Sequence, residues 1–207
     1  MASSTIGSAI QDYLFVCRTE AKSPQTVRWY QQKLEYFASF LNRKTSNADL
    51  RSLNRDHIRA FIRHLQTEVM ANQSNPRRPT RGEGLSPNTI HGYARALMAF
   101  LSWACRDGLI EANPMSGISM PKVPSRIMPA FTNEQVPRLL GGIDRRTHLG
   151  LRNYTMILLL LDTGIRVSEL VGLNMPDLHL HEGYFKGPGK GNKERIVPMG
   201  VTAQQAL

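Results

Sequence analysis

The chain has 207 residues, 41% of them hydrophobic, which is enough for one large domain or two small ones. Its 26 lysines and arginines outnumber 16 aspartates and glutamates, and the formal net charge of +10 favours a polyanionic partner. The longest apolar run, residues 156–161, is far too short to span a bilayer and excludes a transmembrane segment of this kind.

The cysteines and the first residues predict the compartment. Cys17 and Cys105 are too few for a disulfide framework and lie in apolar helical patterns, which predicts buried free thiols in a reducing compartment. Residues 1–5 lack the charged-then-apolar order of a signal peptide. We therefore expect a soluble, cytoplasmic protein with no membrane partner.

The positive charge is concentrated in the first part of the chain. Residues 1–128 hold 17 lysines and arginines against nine acidic residues, whereas residues 129–207 hold nine against seven. Most of the excess is arginine, whose rigid fork suits phosphate. The alternative is a basic protein whose charge serves only solubility.

Apolar residues at helical spacing predict a mainly α-helical first domain, residues 1–114, with four to five helices. These helices are expected over residues 5–18, after Ser23, after Asn54, and from Ser86 to about Cys105. Residues 72–84 hold two prolines and three arginines, which predicts a flexible basic loop. Its arginines are Arg77, Arg78 and Arg81.

Two of these helices begin with an internal repeat. The segments SPQTV (residues 23–27) and SPNTI (residues 86–90) are followed at identical offsets by Tyr, Leu and Phe. In each copy the serine can cap the helix and the proline occupies its first position. Two interpretations stay open. In the first, the repeat is only a good capping sequence. In the second, each helix start also binds a phosphate, with the help of Ser23 and Thr26 or of Ser86 and Thr89.

The rest of the chain predicts a linker and a second domain. Residues 115–128 contain Gly117, Pro121 and Pro124 without periodicity, which is typical of a linker. Residues 129–207 then predict an α+β domain with a small antiparallel sheet. Its expected helices follow Thr132, span residues 149–162 and 167–173, and begin again near Thr202, while its expected strands cover residues 178–181, 183–186 and 194–199.

Arg166 is the first candidate site residue of this second domain. It follows a Thr-Gly break and opens a short helix that carries Glu169 three residues later. The guanidinium and the free N–H groups of the helix start can together bind a phosphate, with Glu169 orienting the arginine. The alternative is a surface ion pair at a helix start, which is common.

Lys190 is the second candidate, at the tip of the turn GPGKGNK (residues 187–193). The turn is not a phosphate-binding P-loop, because no Gly-Lys-Ser/Thr opens a helix there. A lysine at a hairpin tip can reach a phosphate and donate a proton to a leaving oxygen. A solvated basic turn, with Lys193 and Arg195 beside it, is the alternative.

The two segments together resemble one known family. TGIRVSEL (residues 163–170) followed by GKGNKERIVP (residues 189–198) is similar to the tyrosine recombinase, or phage integrase, family and its Xer-like members. The repeat helices and GLIEANP (residues 108–114) resemble the core-binding, SAM-like domain of that family. The resemblance covers nearly the whole chain, and its motifs occur in the family's order.

The resemblance implies a mechanism. Arg166 would clamp the scissile phosphate, Lys190 would protonate the 5′-oxygen leaving group, and Glu169 would support Arg166. The family also needs a His-x-x-Arg pair, a further His or Trp, and a tyrosine that forms a 3′-phosphotyrosine bond, which it places beyond residue 207. Neither Tyr154 nor Tyr184 matches that tyrosine, so we expect a truncated catalytic domain that is inactive alone.

The same resemblance implies the partners and cofactors. We expect double-stranded DNA and other recombinase protomers as partners, with phosphate contacts from the first domain and the following lobe. The expected DNA-contacting residues are Ser23, Thr26, Arg28, Arg77, Arg78, Arg81, Ser86, Thr89, Lys193 and Arg195. No cofactor is expected, and no metal site either, because His179 and His181 lack further ligands.

Three functions compete on this sequence. The first is a site-specific recombinase that breaks and rejoins DNA, and the second is a catalytically inactive, recombinase-derived DNA-binding fragment. The third, a generic basic helical regulator, is disfavoured by the motif order. The first two share every residue of the chain, so the sequence does not separate them.

Overall fold

The computed structural model describes residues 5–43, 49–71, 84–125, 127–188 and 194–207. The chain divides into two compact units, Met1–Arg126 and Ile127–Leu207. Met115 is fully buried in the core of the first unit, and Ile118 and Met120 pack against that core. The first part of the expected linker, residues 115–120, is therefore packed, because its apolar side chains contact the hydrophobic core of the first unit.

The first unit is built from four α-helices and a short 3-10 helix within its described ranges. These elements are α1 (Ile6–Thr19), α2 (Pro24–Asn42), the 3-10 helix Leu50–Ser52, α3 (Arg55–Thr67) and α4 (Pro87–Arg106). Side chains cap all four α-helices: Thr5, Ser23, Asn54 and Ser86 accept backbone N–H groups of the first turns. The expected helices are confirmed, whereas the sequence did not indicate the 3-10 helix.

Aromatic rings fill the core of the first unit. Phe37, Phe61 and Phe100 are fully buried, and the Phe37 and Phe61 rings meet edge to face at a centroid distance of 4.9 Å. Tyr13 packs against Phe100 at 5.7 Å. Cys17 is buried as expected, but Cys105 is only half-buried. Because the buried rings come from α1, α2, α3 and α4, the four helices share one core.

The second unit is α+β, as expected. Its elements are α5 (Gln135–Gly141), α6 (His148–Thr163), α7 (Val167–Val171), the 3-10 helix Met175–Asp177, β1 (Leu178–His179), β2 (Tyr184–Pro188), β3 (Glu194–Pro198) and α8 (Val201–Ala206). The strands form an antiparallel sheet of order β1-β2-β3, with Phe185 opposite Val197. The first strand is shorter than expected, because a turn with Gly183 at φ +73° follows Leu180. His181 therefore does not share a strand face with His179.

The core of the second unit is small. Its buried members are Leu159, Ile165, Phe185, Val197, Met199 and Ala203. Helix α8 lies on α6, since the Asp162 carboxylate accepts the Gly200 N–H at 2.8 Å and the Thr155 hydroxyl donates to the Ala206 carbonyl at 2.8 Å. Over the described ranges, no helix is both long and apolar enough to cross a membrane.

Candidate functional site

A glycine break sets the position of Arg166. Helix α6 ends at Thr163, and its C-cap Gly164 has a φ of +62°, in the left-handed region. The Gly164 N–H donates to the Leu160 carbonyl at 3.1 Å. Ile165 then anchors the turn in the small core, where it is 5% exposed. Arg166 follows with extended backbone as the N-cap of α7, and its side chain is 69% exposed. The turn at Gly164 and the buried Ile165 thus fix the position of Arg166 at the surface.

Glu169 holds Arg166 through two hydrogen bonds. The Arg166 N–H donates to Glu169 Oε2 at 2.9 Å, and Arg166 Nη1 donates to Glu169 Oε1 at 2.8 Å. The Glu169 side chain is only 8% exposed. The pKa of Glu169 lies below its ordinary value, chiefly because of the hydrogen bond from the Arg166 N–H. The hydrogen bond from the Arg166 side chain and the positive charge of Arg195 also lower it, and burial acts in the opposite direction. Glu169 is therefore an anion at neutral pH.

Arg195 is a second arginine on the same carboxylate. Its Nη2 donates to Glu169 Oε2 at 2.8 Å, and its side chain is 45% exposed. The sequence suggested Arg195 only as a DNA contact, because 26 residues separate it from Glu169. Its place in β3 gave the one available signal. Arg195 lies two residues before Val197, so the two share a face of β3, and Val197 is buried on that face.

The cluster of Arg166, Glu169 and Arg195 can bind an anion. It carries two positive charges and one negative charge, and both guanidinium groups remain partly open to solvent. Arginine offers five N–H donors, so each side chain keeps donors beyond those given to Glu169. The start of α7 adds little to this site, since the helix has five residues and the Arg166 N–H is already bonded to Glu169.

The repeat residues form two matched helix caps. The Ser23 hydroxyl accepts the Thr26 N–H at 3.2 Å, and the Ser86 hydroxyl accepts the Thr89 N–H at the same distance. In each cap the serine and threonine hydroxyls are also hydrogen-bonded, at 2.8 and 2.9 Å. These hydrogen bonds confirm that both serines cap their helices. Phosphate binding at the helix starts stays a prediction.

Other candidate residues differ in what the structure describes. Arg28 is exposed on α2 beside a cavity of about 420 Å³ that Arg18, Lys22 and Gln31 also line. The remaining candidates, Lys190, Lys193, Arg77, Arg78 and Arg81, lie outside the described residues. Across the described ranges, no three His, Cys, Asp or Glu side chains are grouped to hold a metal ion.

Lys33 sits in an aromatic cage that the sequence did not predict. Its Nζ lies 4.2 Å from the Tyr93 ring centroid and 5.3 Å from that of Trp29, and burial lowers the pKa of this lysine. A side chain at Gly92 would press on Lys33 Cε at 3.3 Å. Trp29 lines this site between α2 and α4 and is only half-buried.

Comparison with protein families covers both units. Residues 10–120 match the phage integrase SAM-like domain, and residues 129–207 match the phage integrase family. Tyrosine recombinase XerD of Listeria monocytogenes is 35% identical over 199 residues, which cover 96% of this chain and 62% of that protein. The chain therefore spans less than two thirds of this curated relative.

Solved structures share the fold at low identity. The Tn1549 transposon integrase in complex with circular intermediate DNA has a TM-score of 0.65 and 20% identity, with 99% of this chain and 63% of that chain covered. A lambda integrase tetramer bound to a Holliday junction has a TM-score of 0.69 and 16% identity, with 97% and 53% covered. At these identities the likeness extends to the fold alone.

Proposed function

Because the chain belongs to the phage integrase, or tyrosine recombinase, family, we propose that it binds duplex DNA through backbone phosphates and supplies part of a strand-breaking site. The observation that carries this proposal is the cluster of Arg166, Glu169 and Arg195, in which a buried carboxylate holds two partly exposed arginines. Arginine forks suit phosphate oxygens, and the net charge of +10 favours a polyanion.

Each site residue has a proposed role. Arg166 clamps the scissile phosphate and stabilises the charge that develops on it, and Glu169 keeps the guanidinium oriented. Lys190, which lies between β2 and β3 in the sequence, protonates the leaving 5′-oxygen. In a complete site a tyrosine would attack the phosphate to give a 3′-phosphotyrosine intermediate. The reaction needs no cofactor, since the tyrosyl bond conserves the energy of the broken one.

DNA and further protomers are the proposed partners. Two solved relatives support this: one is an integrase in complex with circular intermediate DNA and the other an integrase tetramer bound to a Holliday junction. The exposed Arg28 and the paired helix starts at Ser23 and Ser86 are the proposed contacts in the first unit. The basic segment with Arg77, Arg78 and Arg81 adds charge to the same unit.

Salt dependence tests the proposed DNA binding. Fluorescence anisotropy with a labelled duplex of mixed sequence should show log affinity falling linearly with log salt, because phosphate contacts release counterions. Replacing Arg166 by alanine should lower the affinity and reduce the slope by about one. Binding that stays flat as salt is raised several-fold would overturn the proposal.

A second candidate function is DNA binding without strand cleavage. The observation that favours it concerns the two tyrosines of the second unit, Tyr154 and Tyr184, each of which packs against a neighbouring side chain. Neither tyrosine in the second unit offers a clear nucleophile. Tyr184 stacks on His179 at 4.5 Å within the sheet, and Tyr154 packs under Arg145 at 4.9 Å.

Suicide DNA substrates separate the two functions. We expect no covalent protein–DNA adduct after denaturation. The reaction needs a tyrosine positioned in line with the leaving oxygen, and neither Tyr154 nor Tyr184 matches that tyrosine. An adduct that disappears in Tyr184→Phe or Tyr154→Phe would contradict this expectation, because it would identify that tyrosine as the nucleophile. Addition of the remaining part of a relative's catalytic domain in trans should give an adduct that Arg166→Ala removes.

A further inference from the structure

Strand register places Arg195 on the inner face of the β2–β3 hairpin. Phe185 pairs with Val197 and Gly187 pairs with Arg195, so these four residues share one face. Phe185 and Val197 are buried there, and the Arg195 side chain extends from that face to Glu169. On the opposite face Lys186 pairs with Ile196, and both are exposed. Arg195 is therefore directed at Glu169 by the alternation of the strand.

Among the described residues, Arg195 gives the Glu169 carboxylate its third hydrogen bond. Oε1 accepts Arg166 Nη1, whereas Oε2 accepts both the Arg166 N–H and Arg195 Nη2. The terminal torsion of a glutamate is broad, so contacts must fix the plane of its carboxylate. Of the three donors, only that of Arg195 comes from outside the α7 turn. Loss of Arg195 would leave Glu169 held by the same short segment that it has to orient.

We propose that Arg195 is a positioning residue for Arg166. It fixes the Glu169 carboxylate, and it ties β3 to the turn that presents Arg166, so that the exposed guanidinium keeps one orientation toward a DNA phosphate. This inference rests on the proposed phosphate-binding role of Arg166. It differs from an independent phosphate contact by Arg195, because a positioning residue acts through Glu169 and changes what Arg166 contributes.

A double-mutant cycle on DNA affinity tests the coupling between the two arginines. Arg166→Ala is measured in the wild-type chain, in Arg195→Gln and in Lys186→Gln, at one salt concentration. Lys186→Gln is the matched control, since it removes one positive charge from the other face of the same hairpin. The loss caused by Arg166→Ala should shrink at least about threefold in Arg195→Gln and stay unchanged in Lys186→Gln. Equal losses in all three backgrounds would overturn the proposal.

A second measurement reads the position of Arg166 without DNA. In NMR spectra the Nη–H signals of Arg166, whose Nη1 donates to Glu169, should exchange faster with water in Arg195→Gln than in the wild type or Lys186→Gln. An unchanged signal would overturn the positioning role. A faster signal with no effect of Arg166→Ala on DNA affinity would instead overturn the phosphate-binding function and, with it, the purpose of the positioning.

The stability of each variant is checked by its unfolding midpoint. Arg195→Gln keeps part of the apolar stem that lies on the inner face of the hairpin. If it does not fold, Arg195→Met takes its place in both measurements, because methionine keeps an unbranched stem without the guanidinium. The expected results and the results that overturn the proposal are the same for both variants.

Discussion

At the residue scale, the site depends on the charge of Glu169 and on the backbone angle of Gly164. Glu169 is 8% exposed and accepts three hydrogen bonds from residues that the structure describes, two of them from guanidinium groups. Gly164 ends α6 with a φ of +62° and has open space where a Cβ would stand. Both features concern how Arg166 is held, and each gives a prediction.

The cluster around Glu169 should weaken in acid. Because the folded state lowers the pKa of Glu169 below its ordinary value of 4.5, its ionised form stabilises the fold above that pH. This stability is lost as pH falls from 4.5 through the lowered pKa. Urea unfolding of the wild type and of Glu169→Gln should therefore differ more at pH 7 than at pH 3. A difference that is independent of pH would contradict this account.

Replacing Gly164 by alanine should destabilise the second unit by about 1 kcal/mol. An L-residue at positive φ is strained, and no atom of the described residues lies within 4 Å of a Cβ at Gly164 to offset the strain with a contact. Gly141→Ala is the control, because Gly141 also has open space but no positive φ. Urea unfolding should show Gly164→Asn between wild type and Gly164→Ala. Equal midpoints for Gly164→Ala and Gly141→Ala would contradict the prediction.

At the element scale, α2 and α4 begin with the same local structure. Their N-cap serines have nearly equal backbone angles, φ −57° and ψ 146° at Ser23 and φ −64° and ψ 149° at Ser86. Five residues of sequence suffice for each cap, which explains why the repeat is visible in the sequence. The caps stabilise the helices whether or not a phosphate binds there.

The two caps should contribute equally to stability. Ser23→Ala and Ser86→Ala should each lower the free energy of unfolding by about 1 kcal/mol, because each leaves the N–H of a threonine without its acceptor. Ser39→Ala is the control within α2. Its hydroxyl bonds back to the Glu35 carbonyl, and alanine has the higher helix propensity. Chemical denaturation should show the control unchanged or slightly stabilised, and a cost equal to those of the caps would contradict this.

Aspartate at the caps separates capping from phosphate binding. Aspartate caps helices as well as serine does, so Ser23→Asp and Ser86→Asp should keep the wild-type stability. Its negative charge would repel a phosphate at the same helix start. If the two helix starts face DNA, the anisotropy assay should show weaker duplex binding at unchanged stability. Unchanged affinity in both variants would leave capping as the only role of the repeat.

At the scale of the whole molecule, the two units differ in how well they bury apolar side chains. Within the described ranges, the first unit has 26 buried hydrophobic residues in one core, whereas the second has six. Of the exposed large hydrophobic residues in the part of the chain that the structure describes, three belong to the first unit and 13 to the second. Val167, Val171, Met175 and Ile196 are among the 13, and each is at least 64% exposed. The second unit therefore gains less from apolar burial.

We expect the second unit to unfold at a lower temperature than the first. Differential scanning calorimetry should show two transitions, and ANS fluorescence should rise with the lower one or before it. Leu159→Ala should lower the midpoint of the low-temperature transition only, which belongs to the second unit. Phe100→Ala should lower that of the high-temperature transition only, which belongs to the first unit. Each variant removes a buried side chain worth about 3 kcal/mol. A single transition that both variants shift equally would contradict this expectation.

Helix starts and breaks could be predicted because their causes are local. Thr5, Ser23, Asn54 and Ser86 act on N–H groups two or three residues away, and Gly164 acts through its own backbone angle. The same holds for the link between Arg166 and Glu169, which lie one turn apart. These features are contained in a few consecutive residues, so the sequence by itself determined them.

Other features depend on packing and only the tertiary structure decided them. Arg195 meets Glu169 because the register of β2 and β3 turns it to the inner face, and Lys33 enters its cage because α2 and α4 lie side by side. Met115, expected in the linker, is part of the core because its side chain packs among the buried residues of the first unit. In each case the partners are far apart in the chain, and their meeting depends on free energies of packing that no local pattern contains.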